Sequence, residues 1–368
     1  MKKFKVLHIF ADARGGINSV VENFTLSDSK TLEHIPLLMK KDFAIFDRMK
    51  YYIIFLRRYY QQYQSADLIH LHGGWLLHLL PLLKKSKKPL LISPHGAFHK
   101  MSMQKSTFKK KLVLGLYMKR VYQNADCFHA LTKYEAQDIK KMSFGKQPIA
   151  VIPNGIDMSD TSISENKVKD LKNIANGRRV YLSLSRIEHA KGIENIIDAF
   201  AKLIQINKNI VLFIAGYGEV EYINFMKQKI KDLDLEKSIY LLGKLTGVDK
   251  NSAYEVADVF INGSYHEGFG LTILEAFRQM TPVIATTGTT FSELGDIKAG
   301  WYVPPSFEGV FDAMKKASEL SDNELEKMAD NGNRWIKENF SMETVIKRYE
   351  ALYYWLYDGG DKPSFVFI

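Results

Sequence analysis

Two doubly wound α/β domains built on parallel sheets are the fold class this sequence predicts, on three observations. Short apolar runs alternate with helix-like stretches along nearly the whole chain, the pattern of β-α-β units whose helices cover both faces of a sheet. The alternation falls into two series, parted by the turn signal PNGID at 153–157 and the polar stretch SDTSISENKVKD at 159–170, which reads as a linker. A length of 368 residues exceeds one ordinary core and fits two domains of about 100–200 residues each.

The first series opens with FKVLHIF (4–10), followed by a Gly15-Gly16 turn and a helix predicted from Ile17 to Phe24. DLIHLH (67–72), PLLISPHG (89–96), DCFHALT (126–132) and PIAVIP (148–153) are its further strand segments. The second series runs through RVYLSLS (179–185), NIVLFIAG (209–216), SIYLLG (238–243), DVFINGS (258–264) and TPVIATT (281–287). The segment RWIKENFSMETVIKRYEALYYWLY (334–357) reads as a pair of amphipathic helices whose aromatic stripe packs as core. In doubly wound sheets ligands bind beyond the carboxyl ends of the strands, so a cleft between the two domains is the expected site.

A hydrophobic content of 46% and a charged content of 25% are those of a folded globular protein and argue against disorder. Cys127 is the single cysteine, which excludes an internal disulfide framework and suits a reducing compartment. MKKFKVLHIF runs into ADARGG with no apolar stretch long enough for a signal peptide or a membrane span, so a cytoplasmic location is expected. The net charge of +10 is uneven: residues 1–150 hold 26 Lys and Arg against 10 Asp and Glu, the remainder 25 against 31. Such a basic half suits an acidic surface or acceptor, whether nucleic acid, anionic lipid or phosphorylated glycan.

The segment HEGFGLTILEA (266–276) carries most of the chemistry. Glu267 opens a Gly-Phe-Gly turn in which Gly268 and Gly270 leave main-chain N–H groups open to a polar ligand. Leu271, Ile273, Leu274 and Phe277 then read as a helix, whose N-terminus favours an anion. Elsewhere ADARGG lacks the G-x-G-x-x-G spacing, AGYGEVE (215–221) lacks its third glycine, and there is neither a Walker A loop nor a Cys/His set at zinc spacing. Redox and ATPase chemistry recede.

HEGFGLTILEA resembles the Glu-x7-Glu motif of the retaining family 4 glycosyltransferases. The Gly15-Gly16 turn, His95-Gly96, VIPNGID, SLSRIEHAKGI (183–193) and ADVFINGSYHEGFG (257–270) agree with that family in order and spacing. The resemblance implies the GT-B fold, two Rossmann-like domains facing across a cleft. Residues 1–165 would be an acceptor-binding domain, 166–340 a nucleotide-sugar-binding domain, and 341–368 a C-terminal helix crossing back to the first. It implies transfer from a nucleotide sugar, a UDP-sugar favoured, to a cell-surface glycan or lipid-linked saccharide, as in polysaccharide, lipopolysaccharide or capsule biosynthesis. Retention by front-face attack, with no protein nucleophile, no metal, no cofactor and no nucleic-acid partner, is part of the same expectation.

The residue roles follow from that resemblance. Arg186 and Lys191 occupy the basic positions that contact the diphosphate, joined by backbone N–H groups at Gly16 and the dipole of the helix beginning near Leu271. Glu275 accepts from the ribose hydroxyls, Glu267 touches a donor-sugar hydroxyl, and the amides of Phe269, Gly270 and Leu271 lie close to sugar and phosphate. His95, from the first domain, is the positioning and polarising group near the sugar. His70, His72, His99 and His266 are expected to be satisfied by backbone rather than catalytic. A glycoside hydrolase using the two carboxylates, or a non-catalytic subunit binding an acidic partner, are the competing classes. YYIIFLRRYY (51–60) and KSTFKKKLVLGLYMKR (105–120) join aromatic or apolar residues to basic ones, which suits peripheral contact with an anionic inner membrane face; the apolar residues at the centre of the second surround the helix, so burial is expected for that part.

Overall fold

The computed structural model describes residues 3–11, 31–39, 45–73, 82, 84–98, 118–142 and 144–367. The predicted Ile17–Phe24 helix, Gly15, Gly16, His99 and residues 105–117 lie outside them. By their contacts the chain forms two units, residues 1–154 with 343–368, and residues 155–342.

The first unit holds a seven-stranded sheet in the order β13-β6-β5-β4-β3-β1-β2. Its strands are β1 (Phe4–Ala11), β2 (Leu32–Met39), β3 (Leu68–His72), β4 (Leu90–Ser93), β5 (Cys127–Ala130), β6 (Ile149–Val151) and β13 (Val366–Phe367). All pair in parallel except β13, which closes the β6 edge antiparallel. β3 and β4 are buried at every position, as expected of parallel strands covered on both faces. On one face Leu7, Ile9, Ile69, Leu71 and Ile92 pack with Phe55 and Tyr59 of the helix Ile45–Ser65. On the other, Phe4, Val6, Leu68 and Leu91 pack with Val345, Tyr349, Leu352 and Tyr353 of the helix Met342–Asp358. Because strand side chains alternate between faces, His8, His70, Ser93 and His129 fall on this second face, toward the carboxyl ends of their strands.

The second unit is a six-stranded, wholly parallel sheet in the order β12-β11-β10-β7-β8-β9. Its strands are β7 (Arg179–Leu184), β8 (Ile210–Ala215), β9 (Ile239–Gly243), β10 (Val259–Asn262), β11 (Val283–Thr286) and β12 (Gly300–Val303). Counted from β7 this is the 3-2-1-4-5-6 order of a nucleotide-binding sheet, with its topological switch between β7 and β10. The helix Ile193–Ile206 buries Ile193, Ile196, Ile197, Phe200, Leu203 and Ile204, a helical-period stripe against the sheet core.

β2, β12 and β13 were not predicted. Part of the expected linker is helical: Ser164 accepts from the Lys167 amide and caps the helix Glu165–Ala175. Upstream, Asn251 Nδ2 donates to the carbonyls of Asp160 (3.1 Å) and Ser162 (3.0 Å), so residues 155–165 belong by their contacts to the second unit. The pair of closing helices is present as Asp322–Asn339 and Met342–Asp358. Ser321 and Glu324 form a reciprocal capping box at the start of the first.

Candidate functional site

In the second unit the loops after β7 and β10 meet at the switch point. After β7 the chain runs through Arg186 and Glu188 into a single 3-10 turn, His189–Lys191, ended by Gly192 at φ 63°. A Cβ at Gly192 would lie 2.2 Å from the Gly263 carbonyl oxygen, and one at Gly263 2.9 Å from the Ile196 side chain. Glycine at both positions lets the two loops touch, and the Tyr265 amide donates to the Ala190 carbonyl across the junction at 2.9 Å. The loop after β11 supports them: Gly288 lies where a Cβ would meet the Ser264 carbonyl at 2.1 Å, and its own carbonyl accepts from the Glu267 amide at 2.8 Å.

This packing brings together residues 76 positions apart. Lys191 Nζ donates to Glu267 Oε2 at 2.6 Å, with Ser264 Oγ donating to the same oxygen at 3.1 Å. The two side chains are only 10% and 20% exposed, so the pair is poorly solvated. Arg186 does not join it. Its guanidinium is 58% exposed and bound to Glu188 at 2.9 Å.

Gly270, at φ 93°, starts the helix Leu271–Arg278 with no side-chain cap, leaving first-turn N–H groups for a ligand or water. Phe269 is buried, its ring centroid 5.5 Å from that of Phe291 and 6.1 Å from that of Phe340. Its side chain anchors the turn, so only its amide is available for the contact predicted. One turn into the helix, Glu275 accepts from Lys250 Nζ at 2.6 Å, and the Tyr254 hydroxyl lies 3.2 Å from its other oxygen. Burial, reinforced by the Glu275 charge, pushes the Tyr254 phenol well above its ordinary pKa, so it stays a neutral donor. Lys250, Tyr254 and Ser264 were missed by the sequence reading. The i, i+4 spacing of Lys250 and Tyr254 on the helix Gly247–Val256 is the one signal that marks two of them.

His95 lies in the first unit, half-buried, in the turn after β4, at a left-handed φ of 52° that disfavours residues other than glycine. Two contacts hold it there. His72 Nδ1 is 3.0 Å from His95 Nε2, and the neighbouring Gly96 amide donates to Glu135 Oε1 at 2.6 Å. Burial, with a smaller contribution from His129, pushes the His95 pKa down to about 3. His70 and His72 are not satisfied by backbone, as expected from sequence, but by side chains: Ser93 and Tyr353 for His70, His8 and His95 for His72.

Two Rossmann-like parallel sheets in one chain define the GT-B class. HepE from Anabaena, crystallised with UDP and glucose, superposes with a TM-score of 0.75 over 95% of this chain and 99% of its own, at 16% identity. The chain belongs to the family 4 glycosyltransferases: the model described as Glycosyltransferase Family 4 matches residues 8–160, and Glycosyl transferases group 1 matches 164–335. It is 35% identical over 141 residues to alpha-monoglucosyldiacylglycerol synthase of Streptococcus pneumoniae, covering 37% of this chain and 32% of that one. It is 25% identical over 237 residues to trehalose synthase of Thermococcus litoralis, covering 60% and 55%. The chain thus spans about a third to just over half the length of these curated relatives.

Proposed function

We propose that this protein is a retaining, metal-independent glycosyltransferase that moves a sugar from a UDP-sugar to a lipid-linked or cell-surface saccharide at an anionic membrane face. The observation that carries this reading is the switch-point cluster of the second unit: a Lys191–Glu267 pair beside an uncapped helix whose Glu275 is held by Lys250 and Tyr254. As the bond from sugar to phosphate lengthens, negative charge grows on the diphosphate. Lys191 and the N–H groups at Leu271 are positive groups suited to receive it, and Arg186 would add its charge only on leaving Glu188; such groups can take the place of a metal ion. Glu275, oriented by two donors, presents carboxylate oxygen to the ribose diol. Glu267 is placed to accept from a sugar hydroxyl while sharing Lys191 with the phosphate. His95 keeps the polarising role that the family resemblance gives it, and the leaving phosphate takes the acceptor proton.

The glycosidase alternative fits less well. Each carboxylate is ion-paired to a lysine, which suits two fixed anions rather than an acid working with a nucleophile. The membrane component rests on the helix Ile45–Ser65, where Tyr51, Ile53, Ile54 and Tyr60 are exposed beside exposed Arg57 and Arg58. The Streptococcus relative, named for a glucosylated diacylglycerol, supports a lipid acceptor.

A thermal-shift panel of UDP, GDP and ADP in EDTA tests the donor. UDP at about 100 times its dissociation constant should stabilise by about 2.7 kcal/mol, and failure of all three removes the reading. NMR of the product anomer tests retention. Sedimentation with phosphatidylglycerol vesicles at low salt tests the membrane component, which fails if no protein pellets.

A further inference from the structure

The first unit contains more buried histidine than packing requires, and its hydrogen bonds fall into two chains. In one, Tyr353 OH lies 2.9 Å from His70 Nδ1, His70 Nε2 2.6 Å from Ser93 Oγ, Ser93 Oγ 2.7 Å from His129 Nδ1, and His129 Nε2 2.8 Å from the Ile152 carbonyl oxygen. The Tyr349 hydroxyl lies 3.0 Å from the same Nε2. A carbonyl oxygen only accepts, so Nε2 of His129 carries the proton, shared between that carbonyl and the hydroxyl, and Nδ1 accepts from Ser93. Ser93 must then accept from His70 Nε2, and His70 Nδ1 accepts from Tyr353. One backbone carbonyl orients the whole chain.

The other chain runs through four histidine rings. His34 Nδ1 lies 2.8 Å from His8 Nε2, His8 Nδ1 2.9 Å from His72 Nε2, and His72 Nδ1 3.0 Å from His95 Nε2. Burial holds His8 and His72 well below the ordinary histidine pKa, and His95 at about 3, so these rings are neutral and carry one proton each. Neutral rings can complete these contacts in only two ways: every ring protonated on Nδ1, or every ring on Nε2. The first makes His95 Nδ1 a donor and the second makes it an acceptor. Nδ1 of His95 takes no hydrogen bond from the described residues.

We infer that His72, backed by His8 and His34, is a positioning residue that fixes the ring of His95 and couples the polarity of its Nδ1 to the buried chain. The inference rests on the proposed transferase reading for its consequence, but not for the chain itself. A neutral ring that can present either an N–H or a lone pair meets a sugar hydroxyl or a sugar oxygen without bringing a charge beside the developing oxocarbenium ion. Ring nitrogens of His8, His70 and His72 also lie within 4.8 Å of one another, the reach of a metal site. Both nitrogens of His70 are already committed to Ser93 and Tyr353, and the His8–His72 separation is that of a hydrogen bond, so the cluster is complete without a cation.

Ring 15N shifts of the full-length protein labelled at histidine read the tautomers directly. His70 and His129 should be Nε2–H, and His8, His72 and His95 should share one tautomer that responds together to UDP. In His72→Asn the amide keeps a partner for His95 but severs the link to His8. The His95 tautomer should become mixed, and kcat should fall by about tenfold or more with donor KM within about twofold. Should that variant fail to fold, His8→Asn makes the same cut one ring further back. Unshared tautomers in the wild type, an unchanged His95 signal and kcat in the variants, or loss of ring N–H signals with equimolar Zn2+ would overturn the inference. Absence of any transferase activity in the wild type would instead overturn the proposed function and leave the tautomer readout to decide the chain.

Discussion

Replacing Glu267 by Gln separates the structural work of the Lys191–Glu267 pair from its work on a ligand. The substitution preserves shape and removes the carboxylate charge, leaving a lysine that is only 10% exposed without its counter-ion. Removing one partner of a fully buried pair costs about 3–5 kcal/mol, and a hydrogen bond to a charged group contributes about 1.5–3 kcal/mol. The residual solvent at Lys191, and 20% exposure at Glu267, place the loss toward about 2 kcal/mol. For a unit the size of 155–342 that corresponds to a Tm lowered by roughly 4–8 °C. The ligand response should go the opposite way. On the proposed reading a diphosphate competes with Glu267 for Lys191 in the wild type, whereas in Glu267→Gln the ammonium is unclaimed. Saturating UDP should therefore raise the Tm of Glu267→Gln by more than that of the wild type, and raise that of Lys191→Met by less. Thermal unfolding of the three proteins with and without UDP is the assay. Equal UDP increments in all three, or an unaltered Tm in Glu267→Gln, would refute the placement of Lys191 between carboxylate and ligand.

Gly192→Ala puts a methyl group 2.2 Å from the Gly263 carbonyl at a positive φ; it should destabilise the second unit by about 2 kcal/mol or more and weaken UDP binding, read by thermal unfolding and calorimetry. Lys250→Met should loosen Glu275 and lower the preference for UDP over its 2′-deoxy analogue by about fivefold, measured by competition binding. Acid should unfold the first unit: burial lowers the pKa of His8, His70, His72 and His129, so the unfolded chain binds more protons below its pKa of about 6.5. Stability is then fully present above pH 6.5 and is lost as pH falls toward 4, each ring adding up to about 1.4 kcal/mol per pH unit. A first-unit transition that stays flat over this range in pH-dependent denaturation would contradict the neutral buried rings.

Ten of the strands were legible in the sequence because each is a local apolar run bounded on at least one side, within two residues, by Gly, Pro or Asp. β2 escaped because Glu33, His34 and Pro36 break its alternation, and β13 because two residues are too short to show a period. The Gly-Phe-Gly turn and its helix were likewise visible, since glycine spacing and apolar periodicity are properties of neighbouring residues.

Pairing between side chains was decided elsewhere. Lys191 and Glu267 stand 76 residues apart, and they meet because parallel crossovers place β7 beside β10 and because Gly192 and Gly263 let the loops touch. Arg186, five residues from Lys191, looked equivalent in the sequence, yet Glu188 holds it in a separate exposed pair. Strand alternation puts the two histidines of DLIHLH on one face. That His8, His34 and His95 would extend His72 into a line, while Ser93 and Tyr353 took His70, depended on strand order, register and the returning helix. Local sequence determines which elements form because propensity and periodicity act over a few residues. Tertiary structure alone decides which charges and protons are shared, because hydrogen bonds and ion pairs require contact at about 3 Å between segments that the chain keeps far apart.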